Sequence, residues 1–214
     1  MKFNLPNALT WFRVVAIPLV VVVFFATELF AWPEAWARPA AGLLFGLAGI
    51  TDYFDGYLAR RLGLTSSFGA FLDPVADKLI VSTALVLLLQ ADPQITLALV
   101  AAVIIGREIT VSALREWMSQ IGARAHVAVS VFGKWKTTLQ IIGISFMLYR
   151  EPLFTLPIYR IGEWLIYVAA ALTLWSMIDY LRAAWPAMRA HDCRDAGRCR
   201  LHPAACRMAP STRE

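Results

Sequence analysis

The 214-residue chain is predicted to be an all-α integral membrane protein: a six-transmembrane-helix bundle with an active-site cavity open to the cytoplasmic side. Three observations predict it. Hydrophobic residues make up 59% of the chain and charged ones 16%, with a mean hydropathy of +0.60. That is more apolar surface than a soluble core of this length needs. The apolar residues gather into six runs, each near the roughly 20 residues that span a bilayer as a helix. Four aspartates, Asp52, Asp55, Asp73 and Asp77, interrupt the second and third runs. A membrane accepts them only where they face a polar cavity.

The first run, 9–30, follows Lys2 and has no small-x-small cleavage site behind it, so it reads as a retained helix rather than a signal peptide. Pro18 marks a kink or a first turn within it, as Pro74 does in the third run. The second run, 38–60, ends at Arg60 and Arg61, and the third, 70–91, follows a short polar turn, "RLGLTSS". The fourth, 93–115, carries Arg107 directly after the apolar stretch ending "VAAVIIG". The fifth, 127–149, holds Lys134 and Lys136 near its start, and the sixth, 160–181, leads into an arginine-rich tail. No repeat or large soluble domain is expected: residues 1–187 form the membrane domain, and 188–214 a basic, disordered cytoplasmic tail.

Basic residues set the orientation. With the N-terminus inside, the inner segments hold Lys2, Arg60, Arg61, Arg115, Arg124, Lys134, Lys136 and seven arginines between Arg182 and Arg213. The outer loops hold only Arg38, Arg150 and Arg160. That asymmetry favours both termini in the cytoplasm. The net charge of +5 then suits an anionic lipid surface, not nucleic acid. Trp11, Trp32, Trp36, Trp117, Trp135 and Trp185 lie near helix ends, as interfacial anchors do. Cys193, Cys199 and Cys206, with His191 and His202, fit no standard zinc spacing.

The aspartates carry the chemistry. One Asp at mid-membrane costs about 2.5–3.5 kcal/mol, and four cost on the order of 10 kcal/mol. Asp52, Asp55, Gly56, Ala59 and Arg60 fall at i, i+3, i+4, i+7 and i+8, one stripe of a helix. Gly69, Asp73 and Asp77 fall at i, i+4 and i+8, one stripe of the next. Facing stripes would converge four carboxylates near the cytoplasmic end. Hard oxygen ligands suit Mg2+ or Mn2+, and a pair of such ions about 3.5–4 Å apart is a common device for displacement at phosphorus. Gly56 and Ala59 leave room for a substrate, or mark close helix packing. Arg60 offers a bidentate phosphate donor.

The pattern D-x2-D-G-x2-A-R-x8-G-x3-D-x3-D over residues 52–77 resembles, position for position, the signature of the CDP-alcohol phosphatidyltransferase family. Eight fixed positions in one short span make the match specific. "FNLPNALTWFRVVAIP" at the start, "GREITVSALREWM" at 106–118, "VAVSVFGKWKTTLQ" at 127–140 and "LTLWSMIDYL" near the end extend the likeness over about residues 1–185. They resemble the branch whose acceptor alcohol is sn-glycerol 3-phosphate. The resemblance implies transfer of a phosphatidyl group from CDP-diacylglycerol to that alcohol, giving phosphatidylglycerol phosphate and CMP. It implies metal binding by Asp52, Asp55, Asp73 and Asp77, with Asp77 also the general base. It implies CDP-diacylglycerol contacts from Asn7, Thr10, Gly56, Ala59, Arg60 and Ser66; Arg13 follows one turn on. Asn7 and Thr10 are also good helix caps. Relatives of this kind are often dimers, so a homodimer is admitted.

The acceptor phosphate needs cations. Arg107 is expensive in an apolar run unless it faces the cavity. Arg115 lies at i+8 on roughly the same face, and Lys134 and Lys136 sit on the next helix. These four are the expected glycerol-phosphate residues, with Glu108 able to fix Arg107 or pair another cation. Lys78 has a simpler reading, neutralising the acidic cluster or reaching for the surface. Two alternatives remain at this stage. One keeps the family with another acceptor, a cardiolipin-type or phosphatidylserine-type synthase. The other, a cation transporter, gives no reason for the fixed spacing of Gly56, Ala59, Arg60 and Gly69.

Overall fold

The computed structural model describes residues 5–62, 67–120, 131–153 and 155–195, with side chains described outside 5–10, 12, 52–71, 73, 121–135, 183 and 186–195. Seven helices are described: α1 (Leu5–Phe24), α2 (Ala26–Phe30), α3 (Glu34–Leu62), α4 (Ser67–Ala91), α5 (Ile95–Gln120), α6 (Val131–Tyr149) and α7 (Ile158–Asp195). The six long ones overlap the six apolar runs. By length and composition, three carry a stretch fit to cross a membrane among the described residues: Pro74–Ala91, Ile95–Gln120 and Ile158–Arg182. Arg13–Phe24 of α1 is apolar but shorter.

The first run differs from the expected single helix. α1 ends at Phe24, and the five-residue α2 follows. α2 stops at Ala31, whose φ of 55° is left-handed, and Pro33 then precedes α3. A left-handed alanine costs about 1–2 kcal/mol; here it lets the Trp32 N–H reach back to the Ala26 carbonyl at 3.3 Å and close the helix end. At the other end, α7 runs beyond the boundary expected at 187, to Asp195. Pro18 and Pro74 both lie inside helices, past the first turn of each.

Packing follows membrane logic. α6 packs against α7 and α3; α1 packs against α3 and α4; α5 joins the bundle through α7 and α4. Small residues let backbones approach where lipid gives no hydrophobic drive between helices. A Cβ on Gly42 of α3 would lie 2.6 Å from the Tyr149 backbone nitrogen of α6. A Cβ on Gly162 of α7 would lie 2.7 Å from the Gly143 carbonyl oxygen of α6. Between these seams the core is built from Val20, Phe24, Phe45, Leu85, Leu97, Ile144 and Ile166, all buried. Large apolar side chains such as Leu99, Trp164 and Trp175 instead face outward, exposed. Such an apolar exterior is what a bilayer would cover. The end-lying Trp11, Trp32, Trp36, Trp117 and Trp185 are exposed too.

One end of the bundle is closed by a polar clasp. Asp92, just after α4, accepts hydrogen bonds from the Tyr159 hydroxyl of α7 at 2.5 Å and from Gln94 at 2.7 Å. Arg150, left-handed at the end of α6, stacks over Tyr159 at 5.8 Å. The clasp ties the α4–α5 turn to the α6–α7 turn, and leaves the other end of the bundle to the site.

Candidate active site

A cavity of about 700 Å³ opens among the helices, and every long helix contributes to its wall. Arg13 comes from α1, Phe45 and Gly49 from α3, and Asp77 and Lys78 from α4. Arg107, Glu108, Ser112 and Arg115 come from α5, Thr137 and Gln140 from α6, and Tyr180 from α7. The wall thus joins an aspartate from the signature to two of the cations expected for the acceptor.

Asp77 is held by Arg13. The arginine is 2% exposed, and its Nη1 donates to Asp77 Oδ1 at 2.6 Å. Asp77 is itself 47% exposed on the cavity side, so one carboxylate oxygen is fixed while the group stays reachable. A charge-assisted bond of this length orients a carboxylate. Arg13 sits there because α1 packs on α4.

The second cluster joins α5, α6 and α7. Glu108 Oε1 accepts from Arg107 Nη1 at 2.9 Å and from Lys136 Nζ at 2.9 Å. Arg107 Nη2 also reaches the Ser176 hydroxyl of α7 at 3.3 Å. Its Nε is buried and has no hydrogen-bond acceptor among the described residues. Lys136 is 2% exposed and does not itself line the cavity; it meets the site through Glu108. Two like charges about 4 Å apart repel by about 4 kcal/mol at an effective dielectric of about 20, so the carboxylate is what lets the pair coexist. Arg115, one helical face along, is exposed and donates from Nε to the Tyr180 hydroxyl at 2.9 Å, its guanidinium 5.5 Å from the ring centre.

The remaining expected residues divide by helix. Asn7 and Thr10 lie within the first two turns of α1, which starts at Leu5, so they stand inside the helix rather than at its cap. Asp52, Asp55, Gly56, Ala59 and Arg60 fall in the last turns of α3, Asp73 in α4 one turn before Asp77, and Lys134 in α6. Their side chains lie outside the described residues, and Ser66 lies outside them altogether. So does any zinc site in the tail. Among the described residues no group of three or more His, Cys, Asp or Glu clusters closely enough for an ion. The described part of the signature still fits a hard cation: Asp77 presents a reachable carboxylate on the cavity wall, and its helix also carries Asp73.

Sequence reasoning did not single out Tyr180, Ser176 and Gln140, and it passed over Arg13 without a role. Arg13, inside the first apolar run, carries the same penalty that flags Arg107, and that signal could have found it; Ser176 and Tyr180 meet Arg107 and Arg115 through contacts distant in the chain.

A polar cavity walled by acids and by cations suited to phosphate, set in an apolar helical bundle, defines a membrane-embedded group-transfer enzyme. Over residues 3–175 the chain matches the family model for CDP-alcohol phosphatidyltransferase, and it belongs to that family. It is 49% identical over 184 residues to the CDP-diacylglycerol–glycerol-3-phosphate 3-phosphatidyltransferase of Salmonella choleraesuis (strain SC-B67), covering 86% of this chain and 96% of the relative. Proteins of the same name from Shigella flexneri and Escherichia coli (strain K12) are 48% identical over the same shares.

Proposed function

We propose that this chain transfers the phosphatidyl group of CDP-diacylglycerol to sn-glycerol 3-phosphate, giving phosphatidylglycerol phosphate and CMP. The observation that carries the reading is one cavity wall holding Asp77 together with Arg107, Arg115 and Glu108, in a chain 49% identical to enzymes named for this reaction. A base and a phosphate-binding cluster at one site are what an attacking hydroxyl on a phosphorylated alcohol requires.

The step balances simply. The acceptor hydroxyl oxygen forms a bond to the phosphorus that bears diacylglycerol. The bond from that phosphorus to the oxygen bridging to CMP breaks, and the electron pair leaves with CMP. Asp77 takes the hydroxyl proton, held in place by the Arg13 contact at 2.6 Å. Arg107, Arg115 and Lys134 bind the phosphate of the acceptor; Lys136, expected among them, is buried off the cavity and acts through Glu108. Gly56, Ala59, Arg60, Ser66, Asn7 and Thr10 receive CDP-diacylglycerol, Arg60 as a phosphate donor and the small residues as clearance. The family generally depends on a divalent cation; Asp52, Asp55, Asp73 and Asp77 would hold it, as Mg2+ or Mn2+ and as a pair. When bound, the ions offset negative charge on the diphosphate.

The setting belongs to the same proposal. Six helices span a bacterial inner membrane with both termini and the cavity on the cytoplasmic side, as the basic residues of the inner segments favour. Residues 188–214 are a cytoplasmic tail, and a homodimer fits the resemblance. The test is an assay of the purified protein with CDP-diacylglycerol and a panel of alcohols. Glycerol 3-phosphate should be incorporated. Use of serine or phosphatidylglycerol in its place would reject the acceptor assignment.

A further inference from the structure

We infer that Glu108 is a positioning residue of the acceptor site: one carboxylate oxygen, anchored by the buried Lys136 ammonium, clamps the Arg107 guanidinium on the cavity wall and presents it to phosphate. The inference rests on the reading that this cavity takes glycerol 3-phosphate.

Both donors meet the same atom, Oε1, at 2.9 Å, so the two nitrogens can lie no farther apart than twice that distance. A guanidinium already fixed in place spares an incoming phosphate monoester the cost of ordering that long side chain. Without the carboxylate the cations repel. Lys136 would keep a buried ammonium with no hydrogen-bond partner among the described residues. Arg107 would keep only its longer bond to Ser176. A carboxylate serving Lys136 alone would sit buried beside it. Glu108 instead lines the cavity, 28% exposed, and shares its oxygen with a guanidinium that also lines it. Arg115 is held separately by Tyr180, so the clamp governs one half of the cluster.

The test is steady-state kinetics of the full-length protein in detergent with Glu108→Gln, Arg107→Ala and the double variant, at saturating divalent cation. Glu108→Gln should raise KM for glycerol 3-phosphate by about tenfold to a hundredfold, the scale of one charge-assisted hydrogen bond, while KM for CDP-diacylglycerol stays within about twofold. In the Arg107→Ala background the same change should add less than about threefold, because the carboxylate acts through that guanidinium. A purely structural role would lower the thermal midpoint and kcat and multiply fully in that background. That outcome, or an unchanged KM in Glu108→Gln, overturns the inference alone. An unchanged KM in Arg107→Ala overturns the acceptor-site reading beneath it. If Glu108→Gln fails to fold, Glu108→Gln/Lys136→Met is compared with Lys136→Met. A higher KM in the double variant supports the clamp, and an equal one refutes it.

Discussion

Replacing Asp77 with Asn separates chemistry from folding better than any other single change. The amide keeps the shape of the carboxylate, and its oxygen can still accept from Arg13 Nη1. What folding loses is the charge component of the 2.6 Å pair. Asp77 is 47% exposed, so water screens its side of the pair, but Arg13 is 2% exposed and keeps its charge inside the bundle. The loss falls between about 1 kcal/mol for a surface pair and about 3–5 kcal/mol for a buried one, and each kcal/mol moves the thermal midpoint by about 2–4 °C. The kinetic loss is read separately. An amide cannot accept the hydroxyl proton, and a positioned general base contributes about 10²–10⁴ in rate, or about 3–5 kcal/mol of barrier. The assay is CMP release by purified protein at saturating CDP-diacylglycerol and glycerol 3-phosphate, with a thermal melt on the same sample. We expect kcat to fall at least a hundredfold, about the lower bound for a base, while CDP-diacylglycerol still binds. A folded Asp77→Asn protein with near-normal turnover would refute the assignment of the base.

The other predictions are briefer. Asp52→Asn should weaken the activating divalent ion as well as turnover, read as a higher metal concentration for half-maximal activity; an unchanged metal dependence would remove Asp52 from the ligand set. Tyr159→Phe, which deletes the hydroxyl bonded to Asp92, should lower stability by about 1–2 kcal/mol and leave both KM values alone; a kinetic effect would mean that the clasp reaches the site. Gly162→Ala should lower the thermal midpoint, because its Cβ would meet the Gly143 carbonyl oxygen at 2.7 Å and force α6 and α7 apart, at about 1–3 kcal/mol. An unshifted melt would mean that this seam is looser than it looks.

What was legible in the sequence was what carries a large free-energy penalty. Six apolar runs give six long helices because a helix satisfies the polar backbone N–H and C=O groups within its own segment. Arg107 could be assigned to the cavity because a guanidinium in an apolar run has few other places to go. The break at Phe25 was not legible: Phe24, Phe25 and Ala26 continue the apolar run, and the left-handed turn falls on an alanine, not a glycine. The pairing of Arg13 with Asp77 spans 64 residues, and that of Lys136 with Glu108 spans 28. No local periodicity encodes either; they follow from which helices pack together. Glu108 could be flagged as a partner for Arg107 by adjacency, but its second cation arrives on α6. The extension of α7 to Asp195 escaped for the opposite reason, since a polar, arginine-rich segment has no apolar stripe to announce a helix.

The most direct measurement follows labelled glycerol 3-phosphate into lipid while CMP is counted in the same reaction, before and after chelation of divalent cations. Labelled phosphatidylglycerol phosphate and CMP should form one for one, stop on chelation, and resume with Mg2+ or Mn2+. Label that stays in the aqueous phase while CMP is released, or transfer that continues undiminished without divalent ions, would contradict it.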